Sequence, residues 1–182
     1  MRVYDIALFI HLLGVVTLFV ALGIMQRGGA RVRRAETSEH VRLWLGLLQT
    51  TPNMFPGAFA MILIAGLYMT VEVWTFTTSW VVVALVGVAV MVAVGVGVIG
   101  RGLNRMGAGV ADVGEGSLPA EVRELIADRA TWVSVFALNG LALGILLLMA
   151  TKPGWTQAIA VPIAFAAAGG TVGTAVIRRE KA

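Results

Sequence analysis

Cysteine is absent, which excludes disulfides, thiolate metal sites and a thiol nucleophile. Charge is scarce: 13% of the 182 residues are Asp, Glu, Lys or Arg, where a soluble domain carries roughly a quarter. Histidine and tyrosine occur twice each and proline five times. No HExxH, GxSxG or GxxxxGK[ST] pattern occurs, and no pair of carboxylates lies inside an apolar run. The glycines of RGLNRMGAG at 101–109 lack the strand and helix context of a dinucleotide fingerprint. No enzyme signature is present. A net charge of +4 in so apolar a chain reports membrane orientation rather than nucleic-acid binding.

What is abundant is apolar: 58% hydrophobic residues, 22 glycines and a mean hydropathy of +0.88. The apolar residues come in unbroken runs long enough to cross a bilayer, which takes about 20 residues of helix. The pattern predicts an all-α integral membrane helix bundle, one transmembrane domain over residues 1–182 with five transmembrane helices. Their spans are expected at about 4–25, 54–73, 80–103, 132–150 and 155–177. The first run is followed, not preceded, by its arginine cluster, so it reads as a retained span and not as a secretory signal.

Between the spans, residues 26–41 read as a polar loop in which Thr37 or Ser38 starts a helix. Residues 38–50 form an amphipathic interfacial helix with Val41, Trp44, Leu45 and Leu48 on its apolar face. A single long helix kinked near Pro52 is the alternative. The glycine-rich stretch from Asn104 to Ser117 reads as a flexible loop. From Pro119 to Gly140 no proline or glycine intervenes. One helix of about 50 Å is therefore expected over residues 118–150, protruding from the membrane. Its stripe of Val122, Leu125, Ile126 and Arg129 should be covered by the 38–50 segment or by a partner chain.

Twelve of the fourteen basic residues fall in loops on one side of this scheme, leaving Arg2 and Lys152 on the other. The positive-inside rule then puts the N-terminus outside and the C-terminus in the cytoplasm. Trp74, Trp80 and Trp155 fall at the outer interface, Trp44 and Trp132 at the inner one.

His11 is the one titratable residue well inside a span, about 10 Å below the outer surface. A neutral imidazole there can ligate a metal or haem iron, relay a proton, or serve as an interhelical hydrogen bonder. Tyr68 and Glu72, four residues apart on one face of the second span, fall at a similar depth with Met69 beside them. They read either as a cofactor-binding cluster with His11 or as an interfacial aromatic and a solvated helix end. Met69 and Met149 either complete a thioether–imidazole metal site with His11 or simply pack. Asn139 reads as an interhelical hydrogen bonder. His40 belongs to the arginine-rich loop at the opposite face.

Small residues spaced four apart mark close-packing faces: Ala89, Ala93 and Gly97 on the third span, and Ala166, Gly170 and Thr174, flanked by Gly169 and Gly173, on the fifth. Either face can receive another span or a second subunit, so a homo-oligomer or a larger membrane complex is expected besides the lipid bilayer.

The segments ALFIHLLGVVTLFVALGI, FPGAFAMILIAGLYM and LLLMATKPGW, spread over residues 4–155, resemble a bacterial family of predicted integral membrane proteins catalogued as a domain of unknown function. More distantly, a first-span histidine followed by Leu-Leu-Gly resembles copper-resistance D-like proteins and haem-binding membrane protoporphyrinogen oxidases. That resemblance implies an iron-ligand role for His11, with haem b or copper as cofactor, in the bacterial cytoplasmic (inner) membrane. The chain departs from those haem proteins in having no second histidine within a span, and the fifth span lies outside the resemblance. Three functions follow in order: a non-catalytic membrane subunit or scaffold, a haem- or copper-binding redox protein using His11, and a small transporter or channel. The last ranks lowest because polar groups within spans are so few.

Overall fold

A computed structural model describes residues 2–180, and all the regular structure among them is helical. α1 (Val3–Arg33) is followed by α2 (Ser38–Thr50), a 3-10 turn (Thr51–Asn53) and α3 (Met54–Val73). After the 74–78 turn come α4 (Ser79–Val94), a π-helical segment (Gly95–Gly100) and α5 (Arg101–Ala111), one continuous rod. The short α6 (Ala120–Ile126), α7 (Arg129–Thr151) and α8 (Trp155–Arg179) complete the chain. Five helical stretches are long and apolar enough to cross a membrane. Their outward faces carry large apolar side chains such as Phe9, Ile64, Val96 and Ile163, each more than 60% exposed.

α1 and α7 form the centre. α3 lies along α1, α4 and α8 lie along α7, and α3 and α4 scarcely touch, which leaves a cleft between them. The closest packing is between α7 and α8. Gly140 and Gly144 face Phe165 and Pro162, while Gly169 and Gly173 face Phe136, so bare backbone meets bare backbone over two turns. The small-residue face of the fifth span is thus occupied within the chain. The third-span face is not: Ala89 and Ala93 are exposed and Gly97 is half-buried.

Three expectations fail, two because tertiary contacts hold glycines in helix and one because a local cap ends a helix that contains neither glycine nor proline. Residues 26–33 are not loop but the last two turns of α1. Gly28 and Gly29 stay helical because Leu48 and Trp132 pack directly on their Cα atoms. Residues 104–111 are likewise helix, α5, with Gly102 beneath Thr131, Gly107 beneath Gln49 and Gly109 beneath Leu125. The 118–150 helix is broken at Ala127–Asp128. There the Asp128 carboxylate accepts from the Ala130 and Thr131 amides, capping α7. The Ile126 carbonyl meanwhile turns to the Trp132 indole N–H at 2.7 Å. Val122 and Ile126 are buried, and α6 packs on α5 rather than on the 38–50 helix. The amphipathic helix itself forms as expected, with Val41, Leu45 and Leu48 buried, and the backbone stays helical through Pro52 into α3.

One end of the bundle gathers the arginines. Arg33 sits over the Trp132 ring, 5.0 Å from its centroid, and its Nε is 2.7 Å from the Glu180 carboxylate. Arg42 donates to the Val113 carbonyl at 2.7 Å, closing the end of α5, and an isolated bridge pairs Thr37 with Ser117. The 112–119 connection is therefore tied to the start of α2. At the opposite end Ser79 donates to the Pro153 carbonyl at 2.8 Å, and Lys152, at φ +49°, closes α7 in the left-handed conformation.

Candidate functional site

A polar group in an apolar bundle must find a partner, since an unpaired buried one costs about 1–3 kcal/mol. His11, only 7% exposed, finds it on α3: Nδ1 is 2.9 Å from the Ile62 carbonyl oxygen. Sequence prepares the seat. One turn on from Ile62 stands Gly66, and a Cβ there would lie 3.2 Å from both Cε1 and Nδ1 of the imidazole. A carbonyl oxygen only accepts, so the neutral ring carries its proton on Nδ1 and leaves the Nε2 lone pair available. Nε2 has no hydrogen-bond partner among the described residues.

The ring forms part of the wall of a cavity of about 350 Å³ at the end of the cleft away from the arginines. α3 contributes Met69 and Thr70, α4 contributes Trp80 and Ala84, and α7 contributes Met149. Trp74 and Lys152 also line it. Trp74 meets Trp80 edge-on at 5.3 Å between centroids, and the Lys152 ammonium lies 4.9 Å above the Trp74 ring. The Trp80 indole N–H is buried without an acceptor.

Of the residues singled out in the sequence, His11, Met69 and Met149 line one cavity. Tyr68 and Glu72 do not line it and are exposed. The helical period explains the division. Ala58, Ile62 and Ala65 form the buried stripe of α3, and Met69 continues it four residues on, whereas Tyr68 and Glu72 share a face rotated away. Asn139 bonds the Val135 carbonyl of its own helix at 2.9 Å and bridges no helices. His40 is exposed at the arginine-rich end. Sequence reasoning took Trp74 and Trp80 only as interfacial markers and Lys152 only as a charge to be counted. The signal that links them was their grouping around the 74–80 and 152–154 turns, which one end of the bundle brings together.

Chemically the cavity offers one imidazole lone pair, two thioethers, an indole donor, the Tyr4 phenol and the Lys152 ammonium. Thioether and imidazole suit Cu(I), and a lone imidazole suits the axial position of haem iron. Fixing Nδ1–H on a carbonyl is the arrangement that orients a ligating histidine and raises its basicity. Among the described residues no three His, Asp or Glu side chains come together as a metal site, so the donor set is soft rather than carboxylate-rich. Comparison with protein-family models, with curated proteins and with solved structures finds no match.

Proposed function

We propose that the chain is a multi-pass protein of the bacterial cytoplasmic membrane, N-terminus outside, that holds a Cu(I) ion in its outer half on His11, Met69 and Met149. The observation that carries this reading is the imidazole pinned through Nδ1 to the Ile62 carbonyl, with its other nitrogen unpartnered in a wall that also holds both thioethers. Its role is that of a metal-holding membrane subunit and not of a hydrolase or transferase, since the cavity contains no carboxylate to serve as a general base. Thr70 spends its hydroxyl on the Gly66 carbonyl at 2.9 Å.

A second reading, haem b on His11, is favoured by Lys152 at the cavity wall, a cation suited to a propionate. The resemblance of the first span to membrane haem proteins points the same way. Purified protein, loaded with Cu(I) under ascorbate and separately examined by visible spectroscopy, decides between them. One copper per chain, lost in His11→Ala and weakened at least tenfold in Met149→Leu, supports the copper site. A Soret band abolished by His11→Ala supports haem instead. Neither copper nor a Soret band would overturn both and leave the chain a scaffold or subunit packed through its helix faces.

A further inference from the structure

The same cleft between α3 and α4 holds a second, larger cavity of about 950 Å³ toward the arginine-rich end. Its walls are apolar, with Leu22, Met25, Phe55, Phe59, Met91 and Val135 among them. Polar groups lie together at one limit, where α2 ends and α5 begins: Gln49, Arg101 and Asn104. None of these three makes a side-chain hydrogen bond or ion pair to the described residues. A guanidinium and two amides thus stand at the membrane-surface end of an apolar volume without protein partners.

The π-helical segment shapes the floor. Its wide turn brings Gly95 and Gly100 to the cavity, and a Cβ added at Gly95 would meet nothing within 4 Å. Such π turns within α-helices are rare and occur frequently at functional sites. Val92 and Val96, also lining the cavity, are exposed on the side where α3 and α4 stand apart. A chain can therefore enter sideways from the bilayer while its head stays at the surface.

We infer that this cavity binds an anionic glycerophospholipid, with an acyl chain against Phe55, Phe59 and Gly95 and its phosphate on Arg101, Gln49 and Asn104. Charge selects this occupant. A neutral amphiphile such as a polyprenyl quinone gives Arg101 nothing to neutralise, whereas a phosphate accepts from guanidinium and amides alike. Basic pockets between helices at the cytoplasmic surface take lipid headgroups in this way. The inference rests on the membrane-spanning reading above but is independent of the His11 site.

Native mass spectrometry of the full chain tests it, with phosphatidylglycerol, phosphatidylcholine of the same acyl chains, and a polyprenyl quinone as separate probes. Wild type should retain phosphatidylglycerol in preference to the other two. Arg101→Gln should weaken that retention roughly tenfold, the worth of a charge-assisted bond. Arg105→Gln, which removes an equal charge from an exposed position outside the cavity, should not. Gly95→Leu should also lose the lipid, and Gly97→Leu, at a neighbouring open position that does not line the cavity, should keep it. Equal loss in Arg101→Gln and Arg105→Gln, equal binding of phosphatidylcholine, or preference for the quinone would each overturn the proposal. Extraction of the wild-type chain from membranes by alkaline carbonate would instead fail the membrane reading itself.

Discussion

His11 and Gly66 form a pair in which one residue's lack of a side chain is the other's seat. A methyl group at position 66 would lie 3.2 Å from the imidazole, closer than carbon atoms in ordinary contact at about 3.5–4.0 Å. The ring must then move by a few tenths of an ångström away from the Ile62 carbonyl. Gly66→Ala should therefore cost about 1 kcal/mol of stability, the worth of a weakened buried hydrogen bond. It should also loosen whatever metal the ring holds. Gly57→Ala, on the same helix, meets nothing within 4 Å and should be neutral or slightly stabilising. Thermal unfolding in detergent, with and without Cu(I), checks both: if the two variants behave alike, Gly66 is not the seat. The histidine was legible in the sequence as the one titratable residue well inside its span. Its partner was not, because a backbone carbonyl leaves no trace in residue identity.

At the scale of elements, packing between helices depends on where backbone is left bare. A Cβ at Gly140 would strike the carbonyl of Phe165, and one at Gly169 the carbonyl of Phe136. Backbone in two packed helices cannot yield as a side-chain tip can, so Gly140→Ala should push α8 from α7 and destabilise by about 2–3 kcal/mol, as overpacking does. Ala89, Ala93 and Gly97 form the same kind of stripe but look outward, and Gly97→Ala should leave stability unchanged. Protease sensitivity of the α7–α8 connection checks the contrast. A tolerant Gly140 would mean that the two helices are not held in this register. The spacing Ala166, Gly170, Thr174 marked α8 as a close-packing helix in the sequence, yet nothing there identified Gly140 and Gly144 as its partners. Glycine misled elsewhere for the converse reason. In RGGARVR and RMGAG it reads as loop, but Leu48, Trp132, Gln49 and Leu125 fill the space that the missing side chains leave. The break at Asp128 was hidden for want of any glycine or proline: a capping carboxylate and one indole bond end the helix instead.

For the whole molecule, span number and the sorting of charges follow from hydropathy and are readable from the sequence alone, whereas the cleft between α3 and α4 is a property of assembly. The structure brings the start of α2, the 112–119 connection and the end of α8 to one end through the Thr37–Ser117 bridge, the Arg42 bonds and the Arg33–Glu180 pair. That end carries the arginines of the last turns of α1, while Lys152 lies with the 74–78 turn at the other. On the proposed topology, cytoplasmic retention of Lys and Arg puts the His11 cavity in the outer leaflet and the Arg101 cavity in the inner one. Because the chain has no cysteine, single reporters are unambiguous. Thr77→Cys and Glu115→Cys both replace exposed residues at opposite ends. On intact cells a membrane-impermeant maleimide should label the first, and the second only after permeabilisation. The reverse pattern would invert the molecule, placing His11 where cytosolic thiols compete for copper and Arg101 where the outer leaflet supplies the lipid.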